Sequence, residues 1–225
     1  MPVRTHTTSS TTTTLVAGRR AAQPNRPLAV TMVIDTSGSM AGGTITSVLK
    51  GMKKIFQTLQ ASDDLSVKVF NNSARTLMGY QKKPVVNWNR IRADVLNNVG
   101  GGTALYDAVL DALKTTDYSS PAQRELIIFT DGEDNSSSTS YATLQQAMRT
   151  RKPDQVVRKN LHITMVGAGF RSSAQRLLEQ LCQPAHCKFS ERSPPDGPDA
   201  PHHHHHHQYG SVCRFRPLEP GRRSP

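Results

Sequence analysis

Residues 30–40 read VTMVIDTSGSM, and this stretch decides which fold the chain can adopt. A mostly apolar run leads to Asp35, and the loop that follows places Ser37 and Ser39 on either side of a glycine. A short apolar run that does not alternate is typical of a buried parallel strand, because both faces of such a strand are covered. A carboxylate and two hydroxyls that follow such a strand lie where open α/β sheets bind ligands. All three are oxygen donors, which suits a hard cation such as Mg2+.

Strand and helix patterns alternate along the rest of the chain. Apolar residues at steps of three and four predict a helix over 45–59 with Thr44 as its N-cap. Alternation predicts a strand at 65–70, with a short edge strand at 75–80, and further strands are predicted at 125–129, 162–166 and 187–190. Further helical patterns occur at 88–99, 103–113, 141–151 and 173–182. This order predicts an α/β fold, with a Rossmann-like, doubly wound, mostly parallel sheet and helices on both faces.

The ordered domain is expected to span 28–192, between two tails. Residues 1–27 are rich in Ser and Thr, carry four Arg and no acid, and show no helical period, so we expect disorder. The same composition also fits an organelle-targeting segment, although it lacks the apolar core of a secretory signal. Residues 193–225 are rich in Pro, His and Arg, contain six consecutive histidines, and show no packing pattern. We expect this C-terminal tail to be disordered as well.

The net charge of the chain is +11, and residues 28–190 carry 19 basic against 13 acidic residues. A basic domain attracts acidic proteins, anionic membrane surfaces or nucleic acid, while the simplest interpretation is solubilising charge. No apolar stretch approaches the roughly 20 residues that cross a bilayer, so no transmembrane segment is expected. Three cysteines do not suggest a disulfide framework. Together with the missing secretory signal, this favours an intracellular and in particular a cytoplasmic location.

Two further loops carry oxygen ligands. Thr103 follows three glycines, and Asp131 follows a predicted strand within the segment TDGED. This set resembles the von Willebrand factor A domain family, which includes the integrin inserted domains. The metal-ion-dependent adhesion site of that family has an Asp-x-Ser-x-Ser loop, a Thr on a second loop and an Asp on a third. All five positions are matched here in the family's order, by Asp35, Ser37, Ser39, Thr103 and Asp131.

The resemblance implies a non-catalytic, cation-dependent protein-binding module of the adhesion or scaffold type. It implies that Ser37, Ser39 and Thr103 bind the metal directly, and that the two aspartates bind it directly or through water. The metal is expected to be Mg2+, with Mn2+ or Ca2+ as alternatives, and an acidic residue of a partner protein would complete its shell. By analogy with the integrin relatives, ligation would move the 100–103 loop and the helix over 173–182. The competing interpretation is that the hydroxyls only cap helices, since Ser39 and Thr103 each precede one.

Other functional classes fit the sequence less well, and no enzyme activity is expected. No G-x-S-x-G elbow is present, and GGGT at 100–103 lacks the lysine of a phosphate-binding loop. An aspartate at the end of the first strand also resembles the haloacid dehalogenase-like, Mg-dependent phosphatases. That family expects a second aspartate where this chain has Ser37. Some RNA-binding ring proteins carry an A-type domain, but the basic residues here are not interleaved with aromatics, so nucleic acid is not an expected partner.

Several other residues are weaker candidates for a site. Glu133 and Asp134 are interpreted as solvated loop residues rather than as part of an acidic cluster, and Asp107 as a residue that favours a helix start. A zinc site could be formed by Cys182, His186 and Cys187, but their spacing does not match a paired Cys-x-x-Cys motif. The sequence does not indicate an oligomeric state.

Overall fold

The computed structural model describes residues 16–21, 23–115, 122–149, 161–168, 172–181 and the backbone of 212–217. The strands within them are β1 Leu28–Asp35, β2 Asp64–Phe70, β3 Ala74–Lys82, β4 Gln123–Thr130, β5 Leu161–Gly167 and β6 Val212–Pro217. The helices are α1 (16–21), α2 Gly43–Thr58, α3 Trp88–Asn97, α4 Leu105–Thr115, α5 Tyr141–Arg149 and α6 Ser172–Leu181. Short 3-10 turns occur at Gly38–Met40 and Lys83–Val85.

The six strands form one sheet in the order β3-β2-β1-β4-β5-β6. Every neighbouring pair is parallel except β2 and β3, so the predicted mostly parallel α/β sheet is confirmed. After β1 the chain builds one half of the sheet and then returns to place β4 on the other side of β1. This is a topological switch point, and ligands of open α/β sheets bind beside the carboxyl ends of such strands. The loops that follow Asp35 and Thr130 therefore lie next to each other.

Helices cover both faces of this sheet, as predicted. One hydrophobic cluster joins α2 and α3 to Met32 and Ile34 of β1, while a second joins α4, α5 and α6 to Val33 of the same strand. Successive residues of β1 therefore enter opposite cores, which explains why its sequence does not alternate. Each fully buried aliphatic side chain stabilises the fold by about 1.5–3 kcal/mol. The two cores hold the carboxyl ends of β1 and β4 in place.

The start of α2 differs from the prediction. Gly42 is the N-cap, and Thr44 is the second residue of the helix. Gly42 has a φ of 79°, a left-handed conformation that glycine adopts without steric cost. The proposal of Thr44 as the N-cap is therefore wrong by two residues. The predicted strand at 187–190 lies outside the described residues.

The N-terminal tail is shorter than predicted, because residues 16–21 form α1 and pack on the domain. Val16 is 1% exposed and belongs to the first hydrophobic cluster. Arg19 forms an ion pair with Glu125 of β4, and Arg20 forms one with Asp63. The prediction of disorder over 1–27 is wrong for this part, since its partners lie 106 and 43 positions away in sequence. Residues 1–15 lie outside the described part of the chain.

The C-terminal tail also contributes to the sheet. Val212–Pro217 pairs with β5 in parallel register, with His162 opposite Val212. The prediction that 193–225 contains no packed element is wrong for these six residues, because the edge of β5 supplies the backbone partners that a strand needs. Its local sequence, VCRFRP, does alternate, but Pro-rich and basic flanks obscure this period. Across the described residues, no helix is both long and apolar enough to span a membrane.

Candidate metal centre

Asp35, the last residue of β1, is fully buried, and both of its carboxylate oxygens accept hydrogen bonds. Its Oδ1 accepts from the backbone N of Ser37 at 2.9 Å and from Ser37 Oγ at 2.6 Å. Its Oδ2 accepts from Thr130 Oγ1 at 2.8 Å. Thr130 ends β4, so the register between β1 and β4 sets the orientation of the carboxylate. Asp35 is therefore held between the two loops that flank the switch point.

Ser37, Ser39 and Asp131 continue from Asp35 as a chain of oxygen atoms. The hydroxyls of Ser37 and Ser39 lie 3.1 Å apart, and Ser39 Oγ donates to Asp131 Oδ2. Asp131 N in turn lies 3.4 Å from Asp35 Oδ2. The structure thus brings four of the five predicted ligands into one connected group. Because the carboxylates accept hydroxyl protons, hydroxyl lone pairs remain available for a cation.

Thr103, the fifth predicted ligand, is buried on the neighbouring loop, whose glycines bond to the backbone of the Asp35 loop. Gly38 N donates to Gly101 O at 3.0 Å, and Gly100 N donates to Thr36 O at 2.8 Å. Thr103 N donates to Asn135 Oδ1 at 2.8 Å. Among the described residues, the Thr103 hydroxyl forms no hydrogen bond to the other four predicted ligands.

Glycine lets this loop approach its neighbours closely. A Cβ at Gly102 would lie 2.8 Å from Asn72 Oδ1 and 2.9 Å from Asn135 Oδ1, closer than carbon and oxygen tolerate. Gly101 has a φ of 79°, which disfavours any other residue there. Packing against two asparagines thus favours glycine at 101 and 102, whereas a Cβ at Gly100 would meet no neighbouring atom.

The electrostatics of the group favour a positive ion. Burial raises the pKa of Asp35 from 3.8 to about 6; hydrogen bonds from Ser37 oppose this rise, and the carboxylate of Asp131 adds to it. No Lys, Arg or His in the described part of the chain forms an ion pair with Asp35 or Asp131. Two carboxylates and two hydroxyls form an all-oxygen donor set, which fits Mg2+, Mn2+ or Ca2+ better than a softer metal.

A zinc-type site is not built within the described residues, where no group of three His, Cys, Asp or Glu side chains could hold a metal ion. Cys182, His186 and Cys187 fall outside the described residues.

The loop over 132–140 is anchored by acidic residues whose role the sequence did not reveal. Asp134 accepts from Tyr106 N at 3.0 Å and from Ser137 Oγ, so its interpretation as a solvated residue is wrong. Asp107 accepts from the backbone N of Ser138 at 3.0 Å and of Thr139 at 2.8 Å. Burial acts to raise the pKa of Asp107, but these hydrogen bonds outweigh it and hold that pKa below its ordinary value.

The positioning residues Thr36, Asn72, Thr130 and Asn135 were also missed by sequence reasoning. Asn, Asp, Ser and Thr in loops commonly bond nearby backbone groups, so their abundance indicates anchoring. It does not indicate which group each side chain binds, because the hydrogen-bond partners here come from other segments of the chain.

Comparisons with known proteins relate the chain to one family. A sequence model described as the von Willebrand factor type A domain matches residues 29–196. Inter-alpha-trypsin inhibitor heavy chain H2 of Mus musculus is 27% identical over 155 residues, covering 64% of this chain. This chain covers only 16% of that protein's length.

Two solved structures share the fold. The PilB minor pilin from Streptococcus sanguinis superposes with a TM-score of 0.55 at 13% identity, over 87% of this chain and 58% of that one. A von Willebrand factor type A protein from Catenulispora acidiphila gives 0.53 at 21% identity, over 70% of this chain and 37% of that one. At these identities the likeness concerns the fold alone.

Proposed function

The chain belongs to the von Willebrand factor type A domain family, and from this premise we propose that it is a cation-dependent protein-binding module. Domains of this family are typically protein-interaction and adhesion modules rather than enzymes. In our proposal the cation is Mg2+, with Mn2+ or Ca2+ as alternatives, and a partner protein completes its shell with an acidic side chain. The residues that would hold the ion are Asp35, Ser37, Ser39, Thr103 and Asp131.

One observation carries this proposal: two carboxylates share a hydrogen-bonded group that lacks a positive side chain among the described residues. A buried ionised carboxylate without a positive partner costs free energy, and the raised pKa of Asp35 expresses that cost. A divalent cation would remove the cost, because it neutralises both carboxylates at once.

The exposure of the group supports a partner on one side. Asp35 and Ser37 are buried, whereas Ser39 is exposed and Asp131 is partly exposed. An ion held by these residues would thus have protein on its inner side and solvent on its outer side. Mg2+ keeps several waters when proteins bind it, and an incoming carboxylate can replace one of them.

The same geometry supports a role without catalysis. Asp35 is fully buried and both of its oxygens accept hydrogen bonds, so it is poorly placed to attack a phosphate ester. Ser37 occupies the position where an aspartate-nucleophile phosphatase needs its acid, and its hydroxyl donates to Asp35. His162, the histidine among the described residues, lies near the amino end of β5, far from this group.

The intracellular location stays a prediction.

Isothermal titration with Mg2+ tests the ion site on the full chain. Mg2+ is chosen because six histidines at 202–207 bind softer metals, whereas hard cations prefer oxygen. Asp35→Ala and Thr103→Ala are expected to weaken Mg2+ binding at least tenfold. The matched control is Asp94→Ala, which removes a partly exposed acid from α3 and should leave binding unchanged. Equal Mg2+ affinity in all four proteins would exclude this site.

Affinity capture tests the partner. Protein captured by the immobilised chain in Mg2+ should be released by EDTA and should not bind Asp35→Ala, while Asp94→Ala should capture it as the wild type does. Circular dichroism melting of each variant verifies that it is folded. Capture that survives both EDTA and Asp35→Ala would show that the binding surface lies elsewhere.

A further inference from the structure

The end of the sheet opposite the metal centre carries a positive surface. Lys82 pairs with Asp64 at the start of β2, so the turn Lys83–Val85 lies at the amino end of the sheet. α2 ends and α3 begins at this same end, since Lys83 Nζ donates to Leu59 O just after α2. We define the basic surface by Lys53, Lys83, Arg90 and Arg92.

Few acidic residues lie near this positive charge. Residues 43–60 contain no Asp or Glu, and residues 83–97 contain only Asp94, 4.0 Å from Arg90. The two acids that follow α2 are already paired, Asp63 with Arg20 and Asp64 with Lys82. By contrast, the opposite helical layer mixes both signs, for example in Asp111 and Lys114 of α4. Among the described residues, α2, the turn and α3 thus carry more positive than negative charge at this end of the sheet.

An exposed apolar residue stands within the basic surface. Val85 is 67% exposed, more than any other large hydrophobic among the described residues. Lys83 links its turn to α2, since Lys83 Nζ lies 5.6 Å from the centre of the Phe56 ring. That ring stacks on Trp88 of α3 with centroids 5.9 Å apart. Lys83 Nζ also donates to Gln57 O at 3.1 Å. The exposed Val85 therefore lies in a turn that Lys83 anchors to the end of α2.

We propose that the basic surface docks on the anionic headgroups of a phospholipid bilayer. Each Lys or Arg near an anionic leaflet strengthens membrane partitioning by about fivefold, and an exposed apolar tip adds to this by entering the interface. Nucleic acid fits less well, because bases stack on exposed aromatic rings. One face of the Trp88 ring is covered by Phe56. Besides these two residues, α2, the turn and α3 contain no aromatic residue.

Membrane docking at the basic surface would not require the proposed cation site, but it would orient that site relative to the bilayer. Strands of seven or eight residues, at about 3.3 Å each, separate the two ends of the sheet by about 25 Å. A domain that rests on a bilayer by its basic surface would therefore point the Asp35 group away from the membrane, toward a partner in solution.

Vesicle cosedimentation of the full chain in EDTA tests the proposal. The wild type should bind vesicles in which about a third of the phosphatidylcholine is replaced by phosphatidylserine, and should not bind pure phosphatidylcholine. The combined variant Lys53→Ala, Arg90→Ala, Arg92→Ala should reduce partitioning about 100-fold, since it removes three cations. Val85→Ser should reduce it less. Asp35→Ala should bind vesicles as the wild type does.

The matched control is the combined variant Arg75→Ala, Lys114→Ala, Arg176→Ala, which has the same net charge and removes exposed cations outside the basic surface. It should keep wild-type partitioning. Equal loss in both combined variants would overturn the proposal, because net charge alone would then explain binding. Tighter binding of an RNA or duplex DNA oligonucleotide through Lys53, Arg90 and Arg92 would also overturn it and assign the surface to nucleic acid. Circular dichroism melting confirms that each variant is folded.

Discussion

Both ends of the central sheet bury acidic side chains, but only one end supplies their positive partners from the chain itself. At the amino end, Asp63 and Glu125 are almost fully buried and form ion pairs with Arg20 and Arg19 of α1. Glu125 Oε2 also lies 3.0 Å from His162 Nδ1.

At the carboxyl end, Asp35 and Asp131 meet only hydroxyl and backbone N–H groups among their described partners. Hydrogen bonds offset part of the cost of a buried charge, whereas an opposite charge offsets more. The difference indicates that the chain itself neutralises the buried acids at the amino end, whereas the acids at the carboxyl end are suited to bind an ion from solution.

The largest effect should appear when the same substitution is made at both ends. Asp63→Asn should lower the free energy of unfolding by about 3 kcal/mol, because it leaves Arg20 without a counter-charge and weakens acceptors for Leu28 N and Gln60 N. Asp35→Asn should change it by less than about 1 kcal/mol in EDTA, since it removes an unpaired charge. Urea unfolding at pH 7.5 measures both, and equal losses would contradict the contrast.

The pH dependence of stability should separate the two ends with an effect of similar size. The folded state holds the proton of Asp35 up to about pH 6, whereas the unfolded chain releases it near 3.8. The folded state therefore binds more protons between these values, and Asp35 makes stability fall as pH rises through them. In EDTA, the unfolding free energy of the wild type minus that of Asp35→Asn should rise by about 3 kcal/mol from pH 7 to pH 3.5. A constant difference would contradict the raised pKa.

Protons and Mg2+ should compete at the carboxyl end. Because a carboxylate must lose its proton to bind a metal, the apparent Mg2+ affinity should fall about tenfold for each pH unit below 6. Isothermal titration between pH 5 and 7.5 checks this, and Asp94→Ala should show the same slope. An affinity that does not change with pH would place Mg2+ away from Asp35.

The smallest effect should come from loosening α1 at the amino end. Arg19→Gln should cost about 1 kcal/mol, because the Arg19 side chain is 28% exposed and Glu125 keeps His162 beside it. Mg2+ binding should not change, since the substitution lies at the far end of the sheet. Loss of Mg2+ affinity in this variant would show that the two ends are coupled.

The sequence predicted most of the fold because the relevant patterns are local. The apolar runs that precede Asp35 and Asp131 mark strands covered on both faces, and three-and-four spacing marks α2 and α4. The Thr44 cap was placed wrongly because a glycine with positive φ can begin a helix without a side-chain cap. α1 and β6 were missed because the contacts that stabilise them come from distant segments.

The sequence by itself determined the alternation of strands and helices, and it placed oxygen ligands after β1, before α4 and after β4. Periodicity and strand ends are properties of neighbouring residues, so they can be read along the chain. Only the tertiary structure decided that Ser39 reaches Asp131, that Thr130 holds Asp35, and that α1 brings its arginines to Asp63 and Glu125. Those contacts join residues that are 43 to 106 positions apart, and the balance of charge at each end of the sheet exists only once the chain has folded.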